Sequence, residues 1–186
     1  MAVKVHLGCW HRNIPGFVNV DLCDMAHIHH KAGIDRLPMF ADNSVDLIYS
    51  SHSLEYFDRV EVSAVLAEWR RVLKPGGILR VAVPDFESLI RVYKLSGTLN
   101  SILGPLYGRM EIQTEQGPRI IYHKTAYDFD SLSSLLMASG FNNVRRYDWR
   151  QTEHQHYDDH SQAYFPHMRK TDGILVSLNV EADKVE

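Results

Sequence analysis

Short apolar runs rich in β-branched residues alternate along this chain with longer stretches whose apolar residues recur at helical spacing. That alternation is the mark of βα units building a parallel sheet. Val3 to Leu7 reads as a first strand, Phe17 to Asp21 as a second, Val45 to Tyr49 as a fourth and Ile78 to Val83 as a fifth. A third is expected within Ile28 to Asp35, a weak, His-rich run. Strands at Val144 to Trp149 and Ile174 to Val180 bring the count to seven. The pattern predicts an α/β fold with a doubly wound, mostly parallel seven-stranded sheet.

Helices are expected where the period changes. Val62, Val65, Leu66, Trp69, Val72 and Leu73 recur at i, i+3, i+4, with Glu68, Arg70 and Arg71 on the other faces. This helix ends at Lys74-Pro75-Gly76-Gly77, where a proline cannot continue it and glycine admits positive φ. Asp85 stands where an N-cap would open another helix, with Ser88, Leu89, Val92 and Tyr93 following. A third helix spans Asp130 to Ala138 and stops at Gly140. Residues 97–122 hold Gly97, Gly104, Pro105, Gly108, Gly117 and Pro118, and read as an insertion or lid. Residues 150–172 are polar, carry four histidines and read as a long arm.

Composition sets the class. At 186 residues the chain is read as a single domain, 1–186. Its 45% hydrophobic and 23% charged residues exclude a disordered, collagen-like or coiled-coil chain. A net charge of −3 gives no reason to expect a nucleic-acid partner. No apolar run approaches the ~20 residues of a membrane span. Two cysteines, Cys9 and Cys23, and no signal-peptide run at the N-terminus favour the cytoplasm.

A strand running into Gly8 and Cys9, followed by a strand ending in Asp21, is an arrangement that α/β nucleoside binders use. The glycine lets backbone approach the ligand, and the carboxylate can accept from both ribose hydroxyls. The same residues also suit a tight turn and a solvated strand end. Two further segments sharpen the reading: Leu37-Pro38-Met39-Phe40-Ala41-Asp42-Asn43-Ser44-Val45-Asp46 before strand four, and Arg71-Val72-Leu73-Lys74-Pro75-Gly76-Gly77 before strand five. Together they resemble the class I S-adenosylmethionine-dependent methyltransferases, especially the small type 11 group. The resemblance runs from about residue 3 to 93 and resumes over Tyr127 to Asp148.

That resemblance implies a Rossmann-like fold with S-adenosylmethionine as cofactor. Gly8 and Cys9 would approach its amino-acid part, Asp21 and the adjacent Leu22 its ribose, and Ile34 and Asp35 its adenine. Ser50, Ser51 and His52 would line the donor and acceptor side. The acceptor is expected to be a small molecule or glycan-like. Asp42, Asn43 and Ser44 suit turn positions rather than ligand contacts.

The chain departs from the family at its first motif. Where Gly-x-Gly is usual, it has Gly8-Cys9-Trp10. The stretch from Gly8 to Gly16 is also shorter than the dozen or so residues that a parallel crossover usually needs. The first helix is therefore expected to be truncated, with Trp10 turned outward or packed on the short connection. These departures leave a second reading open, a non-catalytic methyltransferase-fold binding module that has lost its donor.

Methyl transfer asks mainly for alignment of nucleophile and methyl group. Where the acceptor carries a proton, a base within hydrogen-bond reach helps to remove it. The candidates are His52 after strand four, Asp85 after strand five, and His123, with Tyr127, before the last long helix; Asp85 is equally a helix cap. The run His154-Gln155-His156-Tyr157-Asp158-Asp159-His160 comes close to the ligand run of metallo-β-lactamase-like hydrolases, but one extra residue separates its parts. No metal is expected there, since ligands must converge with the correct geometry.

Overall fold

The computed structural model describes residues 2–114 and 117–186. Its centre is a seven-stranded sheet in the order β3-β2-β1-β4-β5-β11-β8. The strands are β1 (Lys4–Leu7), β2 (Phe17–Asp21), β3 (His30–Lys31), β4 (Val45–Ser51), β5 (Leu73–Pro84), β8 (Phe141–Arg146) and β11 (Ser177–Lys184). The β1–β2, β2–β3, β1–β4 and β4–β5 pairs are parallel, while β11 runs antiparallel to both β5 and β8. This is the mostly parallel sheet expected from the pattern, with the Rossmann-like fold that the resemblance implies.

Two boundaries differ from expectation. The strand expected at 144–149 runs instead from Phe141 to Arg146; it cannot reach Trp149 because Asp148 accepts from the Arg150 N–H and caps a 3₁₀ turn at Trp149–Gln151. The strand expected at 174–180 divides into β10 (Ile174–Leu175), which pairs with β9 (Tyr164–Phe165), and the longer β11. The expected turn at Lys74–Gly77 is a bulge: Val45 pairs with Leu73, then Leu47 with Ile78, and Gly76 takes φ +76°.

Alternation divides the sheet into two unlike faces. Val5, Leu7, Val20, Ile48, Leu79, Val81, Leu178 and Val180 point one way and join a core with Val62, Val65, Leu66 and Trp69 of α1 (Glu61–Val72) and Leu132 and Leu136 of α4 (Phe129–Ala138). The opposite face carries His6, Phe17, Asn19, Tyr49, Arg80 and Asn179. No helix joins β1 to β2; the connection closes with a turn in which the Arg12 N–H bonds the Cys9 carbonyl. The arm covers this polar face. His154 stacks on Tyr49 with ring centroids 4.1 Å apart, and Glu153 pairs with Arg80 at 2.7 Å.

The segment 97–122 is folded. It forms α3 (Asn100–Tyr107) and an antiparallel hairpin of β6 (Met110–Thr114) and β7 (Gly117–Ile121). Alpha-helix α2 (Phe86–Ser96) precedes it, and Leu89 and Val92 pack on Ile102, Val176 and Ile174. These elements stand beyond the C-terminal ends of β4 and β5.

Candidate functional site

Parallel strands of an α/β sheet present their C-terminal ends to a crevice where the strand order reverses. Here the reversal lies between β1 and β4, and a cleft of about 940 Å³ opens there. Its floor is built by Gly8, Cys9, Asp21, Ile34 and Ser51 from the strand ends. Leu22, Asp35 and Trp10 stand on the same wall. The lid supplies Gly104, Pro105, Met110 and Ile121, and the arm supplies Asp159, His160 and Phe165.

Gly8 meets a steric demand. It has φ +67°, and a Cβ there would collide with the Ser53 hydroxyl. The backbone of β1 thus lies bare against the turn that follows β4. Asp21 is engaged by the chain itself: Oδ2 accepts the Trp10 N–H at 2.7 Å and Oδ1 accepts the Cys23 N–H at 2.9 Å. Each carboxylate oxygen keeps a second lone pair for a ligand hydroxyl. Trp10 has φ +45°, its carbonyl lies 2.7 Å from His27 Nε2, and its indole stands edge-on to His11 with 42% of its surface exposed. The indole is exposed on the wall of the cleft rather than packed into the core. The loop carrying Ile34 is fixed from α1, where the Trp69 indole N–H donates to the Ile34 carbonyl at 2.7 Å.

Of the expected acceptor-side residues, His52 and His123 line the cleft. His52 has φ +51°, a conformation uncommon for a side chain with a Cβ and concentrated at functional sites. Burial holds its imidazole well below the ordinary histidine range, and burial also lowers His123. Asp85 is the N-cap of α2: its carboxylate accepts from the Glu87 N–H at 3.2 Å and the Ser88 hydroxyl at 2.8 Å, away from the cleft lining. Ser50 points to the opposite face from Ser51 and is fully buried in the sheet core. Tyr127 is buried, with a hydroxyl that has no hydrogen-bond partner.

Glu55 was not among the expected residues. It sits in the 3₁₀ turn Leu54–Tyr56, has no exposed surface, and neither carboxyl oxygen has a hydrogen-bond partner. Its Oε1 lies 3.7 Å from His52 Nδ1 and 3.6 Å from His123 Nε2. Burial raises its pKa to about 8. The sequence signal was the three-residue step from His52 to Glu55. The His-rich run does not converge: His154 is buried on Tyr49, His156 is exposed, and His160 lies 5.1 Å from His52 between ring centroids. Among the described residues no group of three or more His, Cys, Asp and Glu is arranged to hold a metal ion.

Residues 18–81 match a family model described as a methyltransferase domain. A comparison with curated proteins returned no match. Among solved structures, a methyltransferase from Thermotoga maritima superposes with a TM-score of 0.60 at 18% identity, over 99% of this chain and 82% of that one. A methyltransferase from Haloferax volcanii, complexed with the methyltransferase activator Trm112, gives 0.54 at 17% identity over 100% and 83%. The Burkholderia thailandensis 1,6-didemethyltoxoflavin-N1-methyltransferase, with S-adenosylhomocysteine bound, gives 0.54 at 13% identity over 100% and 72%. Residues 18–81 thus match a methyltransferase domain, and the sheet order and strand-end cleft give the chain the fold of these S-adenosylmethionine-dependent methyltransferase structures.

Proposed function

We propose that this chain, as a single domain, transfers the methyl group of S-adenosylmethionine to a small-molecule or glycan-like acceptor held between the lid and the arm. The observation that carries the reading is the continuity of the cleft. Gly8, Asp21 and Ile34 at the strand ends share one cavity with lid residues Gly104 and Met110 and with His160 of the arm. A donor site and an acceptor site therefore open on each other without an intervening wall.

The residues present suit the donor. Gly8 offers bare backbone to its amino-acid end, Cys9 and Ser51 flank that approach, Asp21 keeps lone pairs for the ribose, and Ile34 offers an apolar surface beside Leu22 and Asp35. S-adenosylmethionine supplies an already activated methyl group, so the protein's contribution is alignment and exclusion of water. His52 and His123 face the acceptor region and are the groups to which a proton can be passed. Ser50 and Asp85 act from behind, Ser50 in the core and Asp85 by fixing the start of α2 beneath the lid. No helix is long and apolar enough to cross a membrane among the described residues, and free Cys9 and Cys23 accord with a cytoplasmic site of action.

One observation favours the alternative of a binding module without donor: both Asp21 oxygens already accept backbone N–H groups. Calorimetry separates the two. Micromolar binding of S-adenosylmethionine and S-adenosylhomocysteine, lost in Asp21→Ala, supports the enzyme. Absence of heat at millimolar ligand, with folded protein, overturns it.

A further inference from the structure

The hydrogen bonds around Glu55 fix which nitrogen of each neighbouring histidine carries a proton. Asn179 Nδ2 donates to the Ser161 carbonyl at 2.9 Å, so its Oδ1 is the acceptor for the Ser177 hydroxyl, also at 2.9 Å. With its one proton so committed, Ser177 Oγ can only accept from His52 Nε2, 3.0 Å away. His52 is therefore the Nε2–H tautomer, and its bare Nδ1 faces Glu55. His123 Nδ1 lies 3.0 Å from the Pro105 carbonyl, which can only accept, so its bare Nε2 also faces Glu55. Two imidazole lone pairs thus converge on one oxygen of a fully buried carboxyl group. Three acceptors cannot face one another without a proton among them.

We propose that Glu55, His52 and His123 hold one shared proton beneath the cleft, release it to solvent by way of the cleft-lining imidazoles when a sulfonium binds above them, and then take the proton of an N–H or O–H acceptor. The inference rests on the methyl-donor reading and deepens it by naming the acceptor as a protic nucleophile. Without donor the cluster is neutral, with the proton on Glu55 and both imidazoles unprotonated. Burial favours that state, raising Glu55 to about 8 while lowering both histidines. The other groups facing the cluster are Tyr56 and Tyr127, both raised and so uncharged, and His160, lowered by burial. None supplies a cation that would hold Glu55 ionised in the empty cleft.

Ser53, two residues from Glu55, donates to the Gly8 carbonyl at 3.4 Å, so the carboxyl group belongs to the turn that packs against the donor wall. The sulfonium is the cation the cluster lacks, and its arrival favours the carboxylate. In the transfer the acceptor atom's lone pair forms the new bond to carbon, and the carbon–sulfur pair stays on sulfur. The acceptor's proton passes through an imidazole to the Glu55 carboxylate. Cation and carboxylate disappear together, and the buried site has zero net charge before and after. Glu55 does not line the cleft; it acts through His52 and His123 as a positioning residue.

The test needs no acceptor. S-adenosylmethionine and S-adenosylhomocysteine differ at sulfur, a cation in one and a neutral thioether in the other. Their dissociation constants are measured by calorimetry between about pH 6.5 and 9 on wild-type protein and on Glu55→Gln. In wild type, affinity for the cation relative to the thioether rises about tenfold as pH passes through the Glu55 range, the effect of a unit charge moving a nearby pKa by about one unit. In Glu55→Gln that rise is absent. Titration of the ligands' own amino groups is common to both proteins and drops out of the difference.

Identical profiles in the two proteins, with both ligands bound, overturn the shared proton and leave the donor reading standing. Failure of both ligands to bind folded wild type overturns the donor reading and this inference with it. Should Glu55→Gln not fold, infrared spectra of wild type with ¹³C-labelled glutamate decide: a protonated-carboxyl C=O band at neutral pH should fade on adding S-adenosylmethionine and persist with S-adenosylhomocysteine. No such band, or equal fading with both ligands, overturns the proposal.

Discussion

The hydroxyl of Tyr49, on β4, donates to the carboxylate of Asp159 at 2.5 Å, joining positions 110 residues apart. This bond fastens the arm to the sheet face that has no helix between β1 and β2. His154 stacks on the same tyrosine ring, and Thr152, Asp159 and Ser161 are buried with it. A sheet face needs cover, and the arm supplies it where a helix would otherwise lie. Asp159 and His160 reach the cleft from this anchorage, so the arm closes the polar face and completes one wall of the cleft.

Tyr49→Phe keeps the ring stacked on His154 and deletes the donor to a buried carboxylate. Asp159 then retains the Ser161 N–H at 2.8 Å as a partner. The expected cost is about 1–3 kcal/mol in urea unfolding, with faster proteolysis within residues 149–163. A change below about 0.5 kcal/mol, within the range of an inconsequential surface substitution, would show that stacking alone seats the arm.

Acid should undo the same layer. Burial lowers His6 and His154 to about 4. Each group regains an ordinary pKa near 6.5 on unfolding, so the unfolded chain binds more protons between about pH 4 and 6.5. Stability therefore falls as pH drops through that window, by up to about 3 kcal/mol per histidine, less where the two repel each other. His154→Phe preserves an aromatic ring on Tyr49 and removes one titrating site. The slope of unfolding free energy against pH, from urea titrations, should fall by about one proton in that window. An unchanged slope would show that His154 is protonated in the folded protein.

The sheet was legible because its period was: β1, β2, β4 and β5 each alternate or run apolar between turn residues, and Asp85 marks the start of α2 with cap chemistry, while Gly97, read as part of the lid, is in fact the C-cap of that helix. The weak third strand is a two-residue bridge, His30–Lys31, too short to leave a periodic trace. The arm was visible as a polar stretch, but its role was not. His154 and Asp159 are buried by contacts with Tyr49, a pairing that no local spacing encodes. Gly8, Asp21 and Ile34, which line the cleft, stand in motifs adjacent in sequence and were legible for that reason. Glu55 was missed because its meaning comes from His123, brought in by the lid, and from Ser177 and Asn179, which set the His52 tautomer from the far end of the chain.

Gly8→Ala tests the bare backbone at the donor wall. The residue has φ +67°, and the added methyl meets the Ser53 hydroxyl. Strain and overpacking each cost about 1–3 kcal/mol, so a lowered urea midpoint is expected together with at least tenfold weaker binding of S-adenosylhomocysteine. Adding Ser53→Ala removes the collision and leaves the backbone strain, and should recover part of the stability. Full recovery of stability and binding in the double variant would mean that the glycine is needed for space alone.

Trp10→Gly and Trp10→Ala separate the backbone of the first motif from its indole. Both variants keep the Trp10 N–H to Asp21 and the carbonyl beside His27, and both lose the edge contact with His11. Only glycine is free of the left-handed penalty at φ +45°, so the glycine variant should be more stable than the alanine variant by about 1 kcal/mol. Because the cleft stays open beside the exposed indole, its removal should leave S-adenosylhomocysteine affinity within about threefold of wild type, a difference under 1 kcal/mol. A gain of tenfold or more in both variants would show instead that the indole obstructs the donor site, and that this departure from Gly-x-Gly works as a partial plug.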